Sequence, residues 1–167
     1  AGRHPLPSRE TFAATLRRLG VNSATQVVVL DRAGIMFSGR LWWMLKWCGH
    51  EAVAVLDGGL AAWQAAGGAV DSGPAPAVPE GDFALRPSAT TVLETADVQA
   101  LLGRPDRTLV DARAAARFRG ETEPLDPVAG HIPGALNRPF GDNLLPDGRF
   151  KPAEVLRAEF ERLLAGR

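Results

Sequence analysis

Three apolar, β-branched runs separated by helix-like segments predict an α/β protein with parallel strands. Gln26 to Leu30 reads Q-V-V-V-L, Ala52 to Leu56 reads A-V-A-V-L, and Thr108 to Val110 reads T-L-V. Strands this continuously apolar are those covered on both faces, as in parallel sheets. The connections between the first two runs and their neighbours are short, so strand, helix, strand and helix follow each other as a βαβ unit with an expected right-handed crossover.

The elements follow in order. Pro7 to Gly20 is helix-like, with Ser8 as N-cap, Phe12, Leu16 and Leu19 as one apolar face and Gly20 as the stop. The Gln26 strand leads into a tight turn, Asp31-Arg32-Ala33-Gly34. A helix is expected from about Ile35 to Trp47, apolar on nearly every side, ended by Cys48-Gly49-His50 with Gly49 as a left-handed cap. The Ala52 strand turns at Asp57-Gly58-Gly59 into a short helix, Leu60 to Ala66. Gly67 to Pro87 is rich in Gly and Pro and lacks apolar periodicity, so it reads as an extended strap. Thr95 to Leu102 is helical, the Thr108 strand follows, and a helix near Ala114 to Phe118 leads to the turn Gly130-His131-Ile132-Pro133-Gly134-Ala135. Pro146-Asp147-Gly148 marks a turn, and Pro152 to Leu164 is a last amphipathic helix.

Composition narrows the function. Lys+Arg and Asp+Glu are equal at 19 each, which argues against a polyanion-binding face and so against a nucleic-acid partner. Trp42, Trp43, Trp47 and Trp63 have only Arg40 and Lys46 interleaved, so core packing is expected of them rather than base stacking. A single cysteine excludes an internal disulfide and a Cys-rich zinc site, and it suits a reducing cytoplasm. No apolar run is long enough to span a bilayer, and no basic-then-apolar leader opens the sequence, which begins at Ala1 as if in mid-chain.

The order strand, Asp111-x-Arg113, helix, Gly130-His131-Ile132-Pro133-Gly134-Ala135 resembles the front half of a rhodanese-type sulfurtransferase domain. The stretch from Val28 through Leu56-Asp57-Gly58-Gly59 to Trp63 resembles the back half of the non-catalytic first domain in two-domain thiosulfate and 3-mercaptopyruvate sulfurtransferases. The resemblance implies a rhodanese-like α/β fold, parallel sheet flanked by helices. It divides the chain into 1–66 (back half of domain one), 67–90 (linker) and 91–167 (front half of domain two). It implies transfer of sulfane sulfur from a small anionic donor to a thiol or cyanide through a cysteine persulfide, with no metal or organic cofactor. It also places the nucleophile loop beyond Arg167, so the 167 residues alone are expected to be inactive. The rival class is a non-catalytic rhodanese-like binding or regulatory module. A phosphatase of related fold needs a Cys-x5-Arg loop that this sequence lacks.

Persulfide chemistry needs a thiolate set among backbone N–H groups and cations. By the resemblance, Asp31, Arg32 and Gly34 form the degenerate counterpart of that loop in the first domain, with Asp31 ordering the turn. Cys48 sits at a helix C-terminus, where the dipole disfavours a thiolate, and reads as a small buried apolar residue. His50 and His131 read as structural hydrogen-bonding residues, and His4 is uninformative. The resemblance makes Arg117, in Arg113-Ala-Ala-Ala-Arg117-Phe118, the residue that binds the anionic donor, because a guanidinium offers forked donors to oxyanions. Arg113 is a second candidate, although pairing with a nearby carboxylate suits it better. Mercaptopyruvate-type members carry an Arg after Glu-Pro, whereas Glu123-Pro124 is followed here by Leu125, which weakens a carboxylate clamp and favours thiosulfate. Finally, the two halves are expected to share one sheet in permuted order, with the Thr108 strand beside the Gln26 strand.

Overall fold

The computed structural model describes residues 5–164. The chain divides between Thr91 and Val92 into two compact units. The first unit is built around two parallel strands, β1 (Val27–Val29) and β2 (Val53–Val55), paired Val27 to Val53, Val28 to Ala54 and Val29 to Val55. Helix α1 (Arg9–Arg18) precedes β1, α2 (Ser38–Trp47) joins the strands, and α3 (Gly59–Ala65) follows β2. The second unit contains α4 (Thr95–Leu101), β3 (Val110–Asp111), α5 (Ala115–Phe118), β4 (Leu136–Asn137), a 3-10 turn at Phe140–Asn143 and α6 (Ala153–Leu164). Strand β3 pairs in parallel with β4.

The expected single permuted sheet is therefore wrong. Among the described residues β1 and β2 form one two-stranded sheet and β3 and β4 another, with no ladder between them. Each strand has already found a parallel partner contributed by its own unit. Local pairing closes a shorter loop and costs less chain entropy than pairing across the Pro/Gly-rich stretch.

Helix α1 starts where the sequence indicates. The Ser8 hydroxyl accepts from Thr11 N at 3.1 Å, satisfying one of the free first-turn donors. Phe12, Ala13 and Leu16 are its buried face. Leu19, expected on that face, is 65 % exposed, because it is the C-cap residue and the helical period has already ended. The core of this unit joins that face to Val29, Met44, Leu45, Cys48, Val53 and Phe83.

Helix α2 begins three residues later than the apolar run suggests, because Ala33, Ile35, Phe37 and Ser38 donate their backbone N–H groups to Asp31. Trp43 and Trp47 stack at 5.7 Å between ring centroids, and Trp43 packs on the core. Trp42 and Trp63 depart from the expected core packing: both are exposed, Trp63 with its indole N–H donated to Ala69 O at 2.9 Å. The α2 period turns Trp42 away from the strands that Met44 and Leu45 face.

Within the Pro/Gly-rich stretch, residues 78–89 form an extended strap laid on the first unit. Phe83 is 1 % exposed and inserts into the core, with its ring 5.5 Å from that of His50. The strap satisfies open helix ends: Gly81 N donates to Arg17 O, Arg86 N to Cys48 O and Ala89 N to Lys46 O. Asp82 is tied on both sides, accepting from Ser23 N at 2.7 Å and donating its own N–H to Asn22 Oδ1 at 2.9 Å. Gly49, at φ +76°, lies so close beneath the strap that a Cβ there would sit 2.5 Å from Pro87 O.

Burying one phenylalanine is worth roughly 1.5–3 kcal/mol, and emptying its site adds a cavity cost. Phe83→Ala is therefore expected to destabilise the first unit by about 3–5 kcal/mol in urea denaturation followed by tryptophan fluorescence. An unchanged unfolding midpoint would mean that the strap contributes nothing to the core.

Candidate functional site

The β1–α2 loop is organised by one carboxylate. Asp31, at the C-terminal end of β1, accepts four backbone N–H bonds: Ala33 and Ile35 to Oδ1 at 2.8 and 3.0 Å, Phe37 and Ser38 to Oδ2, both at 2.8 Å. To aim those donors inward, Gly34 takes φ +64° and Ile35 takes φ +68°, a conformation that costs a β-branched residue energy. Arg32 and Gly34 are exposed on the rim of the loop. Burial works to raise the Asp31 pKa, but the four N–H donors together overcome it and bring it down from 3.8 to about 2. The loop thus gathers amide donors on an anion, and that anion is the protein's own.

Cys48 caps α2 at 0 % exposure, and desolvation raises its pKa against a smaller opposing influence from Arg9. Neither property suits a nucleophile. His50 is buried, with Nε2 2.9 Å from Thr25 O. His131 places Nδ1 2.7 Å from Phe118 O and stacks on the Phe118 ring at 3.7 Å. His4 lies outside the described residues. Among the described residues no cluster of His, Cys, Asp and Glu could hold a metal, and no helix is long and apolar enough to cross a membrane.

The second unit brings Arg113 and Arg117 together. Asp111, at the end of β3, accepts from Arg113 N at 2.9 Å and from its guanidinium, with Nη2 at 2.6 Å. Hydrogen bonding to Arg113 lowers the Asp111 pKa. The same Nη2 reaches Gly130 O at 2.6 Å, joining the start of α5 to the Gly-His-Ile-Pro-Gly turn. Asn137 on β4 donates to the carbonyls of Asp111 and Arg113. Arg117 lies one helical turn on, its Nε and Nη2 forked onto Glu123 at 3.1 and 2.6 Å. Arg113 Nη1 also reaches Glu123, at 3.3 Å.

Glu123 is the buried partner of both arginines, a place that sequence reading did not give it. Its side chain is 5 % exposed, and it accepts from Leu125 N and Asp126 N as well as from both arginines. The Arg117 guanidinium is the main cause that holds its pKa down at about 2. The available signal was a Glu-Pro pair a few residues after two helical arginines, where a turn could fold a carboxylate back onto them. Arg117 has a second partner, Asp126 Oδ2 at 3.1 Å, whose side chain is 53 % exposed. Leu125, between them, is 58 % exposed. A cavity of about 380 Å³ lies elsewhere in this unit, lined by residues including Leu93, Val98, Leu109 and Pro133, and none of Arg113, Arg117 and Glu123 borders it.

Comparison with known proteins agrees with this architecture. Residues 1–66 match the rhodanese-like domain family. A Pseudomonas aeruginosa protein named "Probable 3-mercaptopyruvate sulfurtransferase" is 50% identical over 167 residues, covering 99% of this chain and 58% of that protein. The 3-mercaptopyruvate sulfurtransferase of Escherichia coli K12 is 40% identical over 161 residues, 94% of this chain and 56% of its own length. The crystal structure of SseA from Escherichia coli, titled a 3-mercaptopyruvate sulfotransferase with the rhodanese fold, superposes with a TM-score of 0.80 at 39% identity over 93% of this chain and 58% of that one. The chain thus spans somewhat more than half the length of the curated relatives it matches.

Asp31 and Glu123, both held down at about 2, make folding acid-sensitive in a defined direction. Each has a folded pKa below its unfolded value, so its stabilisation is complete above the unfolded pKa and is lost as pH falls toward the folded one. For Glu123 that window runs from 4.5 down to about 2, and for Asp31 from 3.8 down to about 2. All four tryptophans lie in the first unit, so their fluorescence reports the Asp31 window. Asp31→Asn should weaken the first unit at pH 7 by roughly 1–3 kcal/mol, since an amide turns an NH2 group toward two N–H donors. It should also flatten the decline in stability below pH 4. An Asp31→Asn protein that declines in acid as steeply as the parent contradicts this.

Proposed function

From a chain whose residues 1–66 are rhodanese-like domain sequence and whose fold is of the rhodanese type, we propose that the protein is a sulfurtransferase. It moves sulfane sulfur from a small anionic donor, of the thiosulfate or 3-mercaptopyruvate kind, to a thiol or to cyanide. The observation that carries this reading is the alignment of 99% of the chain, at half identity, with a protein named for that activity. In this reading residues 1–66 and 91–167 belong to two successive domains joined by 67–90, and the reaction takes place in the cytoplasm without a cofactor.

The chemistry proceeds in two displacements. A cysteine thiolate attacks the outer sulfur of the donor. The donor's S–S or C–S bond breaks, and sulfite, or the enolate of pyruvate that then takes a proton, departs. The resulting persulfide passes its outer sulfur to the acceptor and restores the thiolate. Cys48 does not take this part, being buried with a raised pKa, and Asp31 has no sulfur to relay. The nucleophile is then a thiol outside these 167 residues. What these residues contribute is the anion end of the donor site. Arg117 presents its guanidinium from α5, held by Glu123, and Arg113 backs it from the β3 end. Leu125 leaves this site without a second forward cation, which favours the compact thiosulfate dianion over a carboxylate.

Two outcomes are expected. The 167-residue chain should form thiocyanate from thiosulfate and cyanide no faster than buffer. A rate well above buffer that disappears in Cys48→Ser would overturn the assignment of Cys48. In the full-length gene product, Arg117→Ala should raise KM for thiosulfate by an amount corresponding to about 1.5–3 kcal/mol, the value of a charge-assisted hydrogen bond. An unchanged KM at unchanged Tm removes Arg117 from the donor site.

A further inference from the structure

Two carboxylates share one arginine, and their surroundings differ sharply. Glu123 is 5 % exposed and bound by both arginines and by two backbone N–H groups. Asp126 is 53 % exposed, and its carboxylate reaches Arg117 through a single contact at 3.1 Å on Nη2. A buried, multiply bonded acceptor cannot leave without stranding unpaired donors, whereas an exposed single ion pair is worth little and exchanges readily with solvent. Arg117 itself is 19 % exposed, and the exposed Asp126 takes up part of its hydrogen-bonding capacity on the open side.

We propose that Asp126 is a displaceable internal counter-ion of the donor site, which occupies Arg117 in the free protein and gives way when an anionic donor binds, while Glu123 is the fixed positioning residue that holds the guanidinium in place. This rests on the reading of Arg117 as the donor-binding cation. Asp126 then acts as a specificity filter. A dianion such as thiosulfate competes with it successfully, and a neutral or weakly anionic molecule does not. Glu123 holds the turn that carries Asp126 through the N–H groups of Leu125 and Asp126, so one buried residue sets both the cation and its competitor.

The test is a titration of the 167-residue chain with thiosulfate, followed by the Nε–Hε resonance of Arg117, beside thiosulfate turnover in the full-length gene product. Asp126→Asn is expected to lower both Kd and KM about two- to fivefold, the range an exposed ion pair covers, with Tm unchanged. Glu123→Gln is expected to weaken binding. If it unfolds the second unit instead, Glu123→Asp, which keeps the charge on a shorter arm, serves as the second variant and should bind more weakly than the parent while remaining folded. Asp147→Asn removes the same charge from the Pro146-Asp147-Gly148 turn and controls for long-range field; equal tightening there would overturn a local displacement. An Asp126→Asn protein that binds thiosulfate no better than the parent, or worse, refutes the proposal even if the full-length protein turns over. Tighter binding at Arg117 without any turnover would keep the counter-ion role and refute the sulfurtransferase reading instead.

Discussion

The buried carboxylate of Glu123 is the interaction on which the second unit's candidate site depends. Two guanidinium groups six and ten residues upstream in sequence close on it, and two backbone N–H groups of its own turn complete its shell. A buried ion set of this kind is tolerated only when its acceptors and donors are all used. Removing Glu123 would leave two cations facing each other and two amides open. The Asp111–Arg113–Gly130 link extends the same set to the C-terminal end of β3 and to the turn after α5. A strand of two residues and a helix of four would be marginal alone; these ionic hydrogen bonds tie them together.

The first unit uses the same physics for a different end. A loop between a strand and a helix collects N–H donors that require a negative partner. In a persulfide-forming loop that partner is a reactive sulfur. Here Asp31 supplies it from within the chain, with both oxygens engaged. The loop is therefore a stable structural element, held in a conformation that includes an isoleucine at positive φ. The bonds from Phe37 N and Ser38 N to Asp31 anchor the start of α2. The contrast between the two units is one of anion accessibility. Asp31 accepts from four backbone donors, whereas Asp126 is 53 % exposed and meets Arg117 at a single contact.

The strap gives the first unit much of its closure. Small domains are limited by how little apolar surface they bury, and Phe83 adds a full aromatic ring to a core that otherwise comes from α1, α2, β1 and β2. The strap's N–H groups also end two helices whose last carbonyls would otherwise face outward. The packing of Gly49 beneath Pro87 leaves no room for a side chain there, so the Cys48-Gly49-His50 cap and the strap constrain one another.

Local chemistry made much of this legible in the sequence. β-branched runs mark the strands. Ser8 and Gly20 mark the ends of α1, and the Gly-rich turns mark where strands end. Its place at a helix end marked Cys48 as a small buried residue, and it is buried. The order of motifs pointed to the rhodanese type, because turn chemistry and strand-end acids are properties of short segments. Tertiary structure alone decided the rest. Phe83 stands among prolines and glycines with no periodicity, and its burial follows from a surface made by helices far away in sequence. Trp42 and Trp63 are as apolar as Trp43, yet only Trp43 of the three packs against the core. Glu123 carries no local signal of burial, since its value comes from two arginines that only folding places beside it. Pairing of β1 with β2 follows the βαβ order legible in the sequence, whereas β4, the partner of β3, is only Leu136–Asn137 and has no apolar run to mark it as a strand.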